Sequence, residues 1–311
     1  MKFGYFLAIL SLFTLLLCVG LTKEEYCQKT WRYDLECALN TTLSDEEIAK
    51  ISVYALKLKG KNCVETAWNV LKWVGENIEY DKQKASLPPP VILVRGREVQ
   101  VLNSERFYQT PIETAKLRRG ICGDFAIFTT AVLLYNNCSA FVLHLEFEKE
   151  ETGHLSSVIL LDQFYVLDQN LPPLDLGSYY KKWLREGKKV QNLSLCEKNG
   201  CRKLELENLP DYKFSAEDME LIRKILGERL RKSMLEDQNL DSKTYRKSAI
   251  ITARFHGYAD YYTPVFSSKI SEMIAEELEK EIEKTNEKWN SFKITIQTVE
   301  HDIEIKLEIA K

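Results

Sequence analysis

The 311-residue sequence predicts an α+β fold in two units behind an apolar N-terminal segment. Three features carry that prediction. Apolar residues recur at helical spacing through most of residues 44–135, alternation with period two takes over across 141–168, and a second succession of helix and strand starts near Ser215 and closes in an alternating hairpin. Apolar residues make up 45% of the chain and charged residues 29%, which is the balance of a folded chain rather than a disordered one. Lys plus Arg number 43 against 46 Asp plus Glu, so the formal charge of −3 offers no basic field to a phosphate backbone, and nucleic acid is not an expected partner.

Residues 4–21, GYFLAILSLFTLLLCVGL, carry no charge; Lys2 precedes them and Lys23, Glu24 and Glu25 follow. Such a run marks export, as a transmembrane anchor or a signal peptide over residues 1–21. The anchor is favoured, because the run reaches spanning length and no small-x-small cleavage site stands before Thr22. Leu16 and Leu17 weigh against lipid modification of Cys18. Lys2 then stays on the cytoplasmic side of a single-pass protein whose folded part lies outside, or is secreted where the segment is cleaved.

Outside the cell, cysteine counting acquires meaning. Cysteines stand at 18, 27, 37, 63, 122, 138, 196 and 201; with Cys18 in the apolar run, an odd number remains, so one thiol is free or bonded to another chain. Cys196 and Cys201 bracket a tight Asn199-Gly200 turn and are expected to bridge. Cys27, Cys37, Cys63 and Cys138 can form two more bridges in any of three pairings, which leaves Cys122 alone. Sequons at Asn40, Asn137 and Asn192 fit an exported chain.

In the first unit, residues 22–214, Ser44 and Glu47 make a capping box that opens a helix through Ile48, Ile51, Ala55 and Leu58. Val64, Ala67, Leu71, Val74 and Ile78 mark a second, its apolar face widened by Trp68 and Trp73. Pro88, Pro89 and Pro90 break the chain before two short strands, 91–94 and 99–102. Thr110 and Pro111 open a short helix that ends at Gly120. Residues 123–135 are apolar on nearly all sides, the mark of a helix enclosed by protein. Residues 141–148 alternate as a strand, and 156–161 with 164–168 read as a strand hairpin.

The second unit, residues 215–311, reads as α-β-α-β-β. Ile294, Ile296, Ile303, Ile305, Leu307 and Ile309 should face its helices, with Lys293, Thr295, Glu304, Lys306 and Glu308 toward water. The Glu/Lys-rich helix from Ser267 is a solvated face. No chemistry is evident there.

The chemistry sits at Cys122. It lies between Gly120 and Gly123 at the entry to the enclosed helix, where free backbone N–H groups and the helix dipole favour a thiolate. The glycines should leave room for a substrate carbonyl, with the Cys122 N–H as oxyanion donor. Of four histidines, His154 at the start of a strand is the best-placed base, and His144 is second. Asp168 ends the next strand and can orient the imidazole. Strand register makes a demand on that pair. A two-residue turn at Asp162-Gln163 would set Asp168 on the face opposite His154, whereas a three-residue loop, Leu161–Gln163, pairs Asp168 with Ser156 and puts it on His154's face.

The succession AWNVLKWVGENIEYD, TPIETAKLRRGICGDFAIFTTAVLL and GHLSSVILLDQFYVLDQN resembles the transglutaminase-like superfamily, a branch of the papain-like cysteine enzymes, over about residues 63–173. The resemblance implies a helical lobe on an antiparallel sheet, with Cys122 as nucleophile, His154 as general acid/base and Asp168 as its orienter. It also implies a side-chain oxyanion donor, for which Gln109 and Tyr80 are the candidates. One departure stands out: HLSSVIL replaces the family's frequent HAWVEV, so the aromatic after the histidine is missing.

Two function classes follow. One is a thiol enzyme in which Cys122 attacks an amide or peptide carbonyl of a protein or peptide substrate and forms a thioester, resolved by hydrolysis or acyl transfer. Hydrolysis is favoured, since nothing in the sequence announces an amine site. The other is an inert cell-surface binding or scaffold module that keeps the fold. No CxxC, HExxH or His pair appears, and neither metal nor cofactor is expected.

Overall fold

The computed structural model describes residues 21–207, 209–240 and 245–311. The expected anchor or signal segment, apart from Leu21, lies outside the described residues. Among the described residues, no helix is long and apolar enough to cross a membrane.

The first unit is a helical lobe on a six-stranded antiparallel sheet, with strand order 200–204, 190–197, 140–147, 154–160, 164–167, 174–175. Helix Cys63–Asn77 starts where Asn62 accepts from the Glu65 N–H, and buries Ala67, Trp68, Leu71 and Val74. Helix Pro111–Leu117 has a Thr110–Glu113 capping box and proline in its first turn. Every residue from Gly123 to Leu133 of helix Cys122–Tyr135 is buried, between the other helices and strand His154–Leu160.

Among the additions to the sequence prediction are a strand and a helix. Strand Val190–Glu197 pairs with strand Ala140–Phe147 and carries the Cys196–Cys201 turn. Helix Leu176–Arg185, opened by Asp175 accepting from the Ser178 N–H, crosses behind the sheet and buries Tyr179 and Trp183. The disulfides are Cys27–Cys37, Cys63–Cys138 and Cys196–Cys201, and Cys122 is free. By the loop-closure argument the Cys63–Cys138 bridge, 75 residues apart in sequence, is worth about 4 kcal/mol.

In the second unit, helices Ala216–Leu230 and Ser267–Lys284 pack together on one face of a sheet ordered 235–236, 291–299, 302–310, 248–255. Alternation assigns the faces. Phe292, Ile294, Ile303, Ile305, Leu307 and Ile309 are buried, and Ile296 is half-buried. The unit is no loose appendage. Its apolar core is continuous with Ala67, Trp68, Leu71, Ile159, Tyr165 and Leu167 of the first unit. Phe266 stacks on Trp68 at 6.4 Å and meets the edge of Tyr165 at 5.5 Å.

Candidate active site

Cys122 is the first residue of its helix, so its N–H has no acceptor within that helix. Asp124 fixes this helix entry. One carboxylate oxygen accepts from the Ile121 N–H at 2.9 Å and from Lys84 Nζ at 2.7 Å; the other accepts from the Gln109 N–H at 2.8 Å. Both partners of the Lys84–Asp124 pair are buried. The glycines serve this packing rather than an open approach for substrate. A Cβ on Gly120 would lie 2.8 Å from the Asp124 Cβ, and one on Gly123 would lie 2.8 Å from Tyr108 and 3.2 Å from Leu155. Their missing side chains make room for protein atoms.

Strand geometry delivers the other two groups. Leu160 pairs with Phe164, which leaves Leu161–Gln163 as a three-residue loop, the odd length that puts His154 and Asp168 on one face. His154 Nε2 lies 2.9 Å from Asp168 Oδ1. Tyr179 donates its hydroxyl to Asp168 Oδ2 at 3.1 Å, and Lys182 Nζ stands 3.6 Å from the same oxygen. The Trp183 ring packs on the imidazole with centroids 4.8 Å apart.

Charge completes the arrangement. Burial alone would lower the imidazole pKa, but Asp168 and then Cys122 outweigh it and hold His154 up at about 10. Burial alone would raise the Cys122 thiol, yet the hydrogen bond and charge of His154, with help from the Leu155 backbone, bring it below its ordinary value. Asp168 likewise falls below the usual carboxylate range, because His154, Lys182 and Tyr179 overcome its burial. All three shifts run in the direction that favours thiolate, imidazolium and carboxylate in sequence.

Two clefts flank the pair. One of about 240 Å³ is lined by Cys122, Arg106, Tyr108, His144 and Leu155. The other, of about 420 Å³, is lined by Tyr80, His154, Asp168, Lys182 and Trp183. Tyr80 is thus on the cleft wall, its phenol pKa pushed up by burial and by the Cys122 charge. Gln109 is different. It lines neither cleft; it is buried, its backbone N–H donating to Asp124 and its side-chain oxygen accepting from the Thr114 hydroxyl, bonds that brace the helix entry and use neither hydrogen of the side-chain amide. His144 faces the Cys122 cleft, its pKa lowered by burial. His256 and His301 pair with Asp302 and Asp260 in and beside the second unit's sheet, and neither lines the two clefts. Among the described residues, no group of three or more His, Cys, Asp or Glu could hold a metal ion.

Tyr179, Lys182 and Trp183 escaped the sequence prediction. Their signal was Asp175 as a cap followed by Leu176, Tyr179 and Trp183 at helical spacing. Trp183 supplies, from another element, the aromatic surface absent after His154.

Residues 49–196 match the family model described as a transglutaminase-like domain. A UPF0252 protein of Archaeoglobus fulgidus is 47% identical over 197 residues, covering 61% of this chain and 63% of the relative. A second, from Pyrococcus furiosus, is 32% identical over 162 residues, 50% of this chain and 43% of its own. The chain thus spans about two-fifths to three-fifths of these curated relatives' lengths. A solved structure of a candidate cysteine protease from Cytophaga hutchinsonii aligns with 14% identity and a TM-score of 0.31, over 59% of this chain and 63% of that one.

Proposed function

Residues 49–196 belong to the transglutaminase-like superfamily, and from that premise we propose that the chain is an exported, membrane-anchored thiol enzyme that hydrolyses an amide or peptide bond. The observation that carries the proposal is the 2.9 Å His154–Asp168 contact beside a Cys122 thiol held below its ordinary pKa.

The Cys122 thiolate attacks the carbonyl carbon of the substrate, and the electron pair of the C=O bond moves onto oxygen. The Cys122 N–H serves as donor to the developing oxyanion, with the Tyr80 hydroxyl, on the wall of the His154 cleft, as the side-chain candidate. On collapse, the C–N bond breaks and the leaving nitrogen takes the proton of the His154 imidazolium, which leaves a thioester on Cys122 and a neutral imidazole. His154 then takes a proton from water as the oxygen attacks the thioester, and expulsion of the Cys122 thiolate restores the starting ion pair. Asp168 keeps the imidazole in line and stabilises its cation throughout; it takes up no proton. Water is the favoured acceptor because the cleft on the His154 side is open to solvent and carries the cations Lys182 and Lys188, which would repel a protonated amine.

Three disulfides in the described residues support an oxidising compartment, and the uncharged residues 4–21 support a tether. A small activated ester with intact-mass detection tests the catalytic proposal. One acyl group should appear on Cys122 and be lost in Cys122→Ala. Absence of acylation in the unaltered protein would leave an inert binding module.

A further inference from the structure

We propose that the hairpin Val91–Leu102 rests in the lipid interface, so that the Cys122 cleft opens close to the membrane surface; this goes beyond the catalytic proposal and rests on its anchored reading of residues 4–21. Val91, Leu93, Val94 and Leu102 are 44, 37, 48 and 41% exposed. The hairpin's two strands pair only with each other, and none of their side chains belongs to or packs against the three apolar clusters of the described residues. Alternation puts Ile92, Val94, Val99 and Val101 on one face and Val91, Leu93 and Leu102 on the other, the latter shared with Arg95, Glu98 and Gln100. Exposed aliphatic groups beside exposed charged and polar ones, with Ile92, Val99 and Val101 half-buried, fit a boundary that takes up both kinds of side chain.

Its location says which surrounding. The Arg97 guanidinium pairs with Glu25, and Lys29 Nζ donates to the Arg97 carbonyl at 2.9 Å, which clasps the turn to helix Lys23–Thr30. That helix starts two residues after the uncharged run ends at Leu21. An eight-residue helix is about 12 Å long, so the hairpin turn is held within that reach of the point where residues 4–21 meet the folded protein. At the hairpin's base, Pro89 and Pro90 line the Cys122 cleft, and Pro89 accepts from the Asn103 side chain at 3.0 Å. The hairpin therefore bridges helix Lys23–Thr30 and the wall of the Cys122 cleft. Aliphatic side chains at a bilayer boundary, flanked by the exposed Arg95, fit the acyl–headgroup interface.

The test uses the full, uncleaved chain in nanodiscs of phosphatidylcholine, with and without bromine on the acyl chains. Leu93→Trp and Val94→Trp are compared with Ile250→Trp, an exposed position in the second unit, after subtracting the emission of the unsubstituted protein. A tryptophan at 93 or 94 should lose about half or more of its emission in brominated discs, as contact with acyl chains requires, and the one at 250 should lose little. Hairpin tryptophans quenched no more than that at 250, in protein that still elutes with the discs, overturn the hairpin proposal and leave the anchor standing. Unquenched tryptophans together with a dimeric elution assign the hairpin to a second copy instead. A chain that elutes free of the discs overturns the anchor and the hairpin proposal together. None of these results bears on Cys122 chemistry, which alkylation reads separately.

Discussion

The Trp183 indole covers the His154 imidazole at a centroid distance of 4.8 Å, although the two residues come from a helix and a strand 29 positions apart in sequence. The indole N–H is buried without a hydrogen-bond partner among the described residues, so the ring acts through its faces. Trp183→Phe should therefore keep most Cys122 acylation, whereas Trp183→Ala opens the wall of the imidazole and should cost about 3–5 kcal/mol of stability with a large loss of acylation. Urea unfolding and intact-mass acylation rates check both.

Lys84 and Asp124 form a pair in which each group depends on the other. Lys84→Met strands a buried carboxylate and should cost about 3–5 kcal/mol. In a double-mutant cycle with Asp124→Asn, the double variant should lose less than the sum of the two single ones, because neither then leaves a lone buried charge. Strict additivity would show that the two side chains do not act as a pair.

Gly123→Ala places a methyl group 2.8 Å from Tyr108 and 3.2 Å from Leu155, both on walls of the Cys122 cleft. Overpacking there should cost about 1–3 kcal/mol. The first turn of the helix must shift, so Cys122 alkylation should slow even in the folded fraction. A variant as stable and as reactive as the original protein would contradict this account of the glycine.

The His154 pKa is raised from 6.5 to about 10. A histidine with a raised folded-state pKa adds stability that is complete below its unfolded value and is lost as pH climbs through the folded one. The contribution should thus be full below pH 6.5, fade between 6.5 and about 10, and be absent above. Asp168→Asn removes the largest favourable influence on the imidazolium. Its His154 ring, followed by NMR, should titrate at lower pH, and the stability difference between the two proteins should shrink as pH rises across that window.

Much of this arrangement was legible in the sequence because period and register are local properties. The enclosed helix after Cys122 showed as apolar residues without a polar face. The demand for a three-residue loop followed from counting His154 and Asp168 against a pleat of period two. What escaped were groups that converge from distant segments. Lys84 looks like any surface lysine until the fold brings Asp124 over it, 40 residues away. Gln109 has the chemistry of an oxyanion donor, yet the fold buries it outside both clefts, with Thr114 on its carbonyl oxygen. The amphipathic signal of residues 176–185 was present, but its position behind the sheet, over His154, depends on the whole chain.

The central claim is that Cys122 is a thiolate paired with the His154 imidazolium. Its most direct test is the rate of Cys122 alkylation by iodoacetamide between pH 5 and 9, in the unaltered protein and in His154→Ala. An ordinary thiol with a pKa near 8.5 is roughly 300-fold below its plateau at pH 6. The structure predicts a profile displaced to lower pH than that of an ordinary thiol in the unaltered protein, and its return toward higher pH in His154→Ala. An ordinary thiol profile, the same in both proteins, would contradict the account.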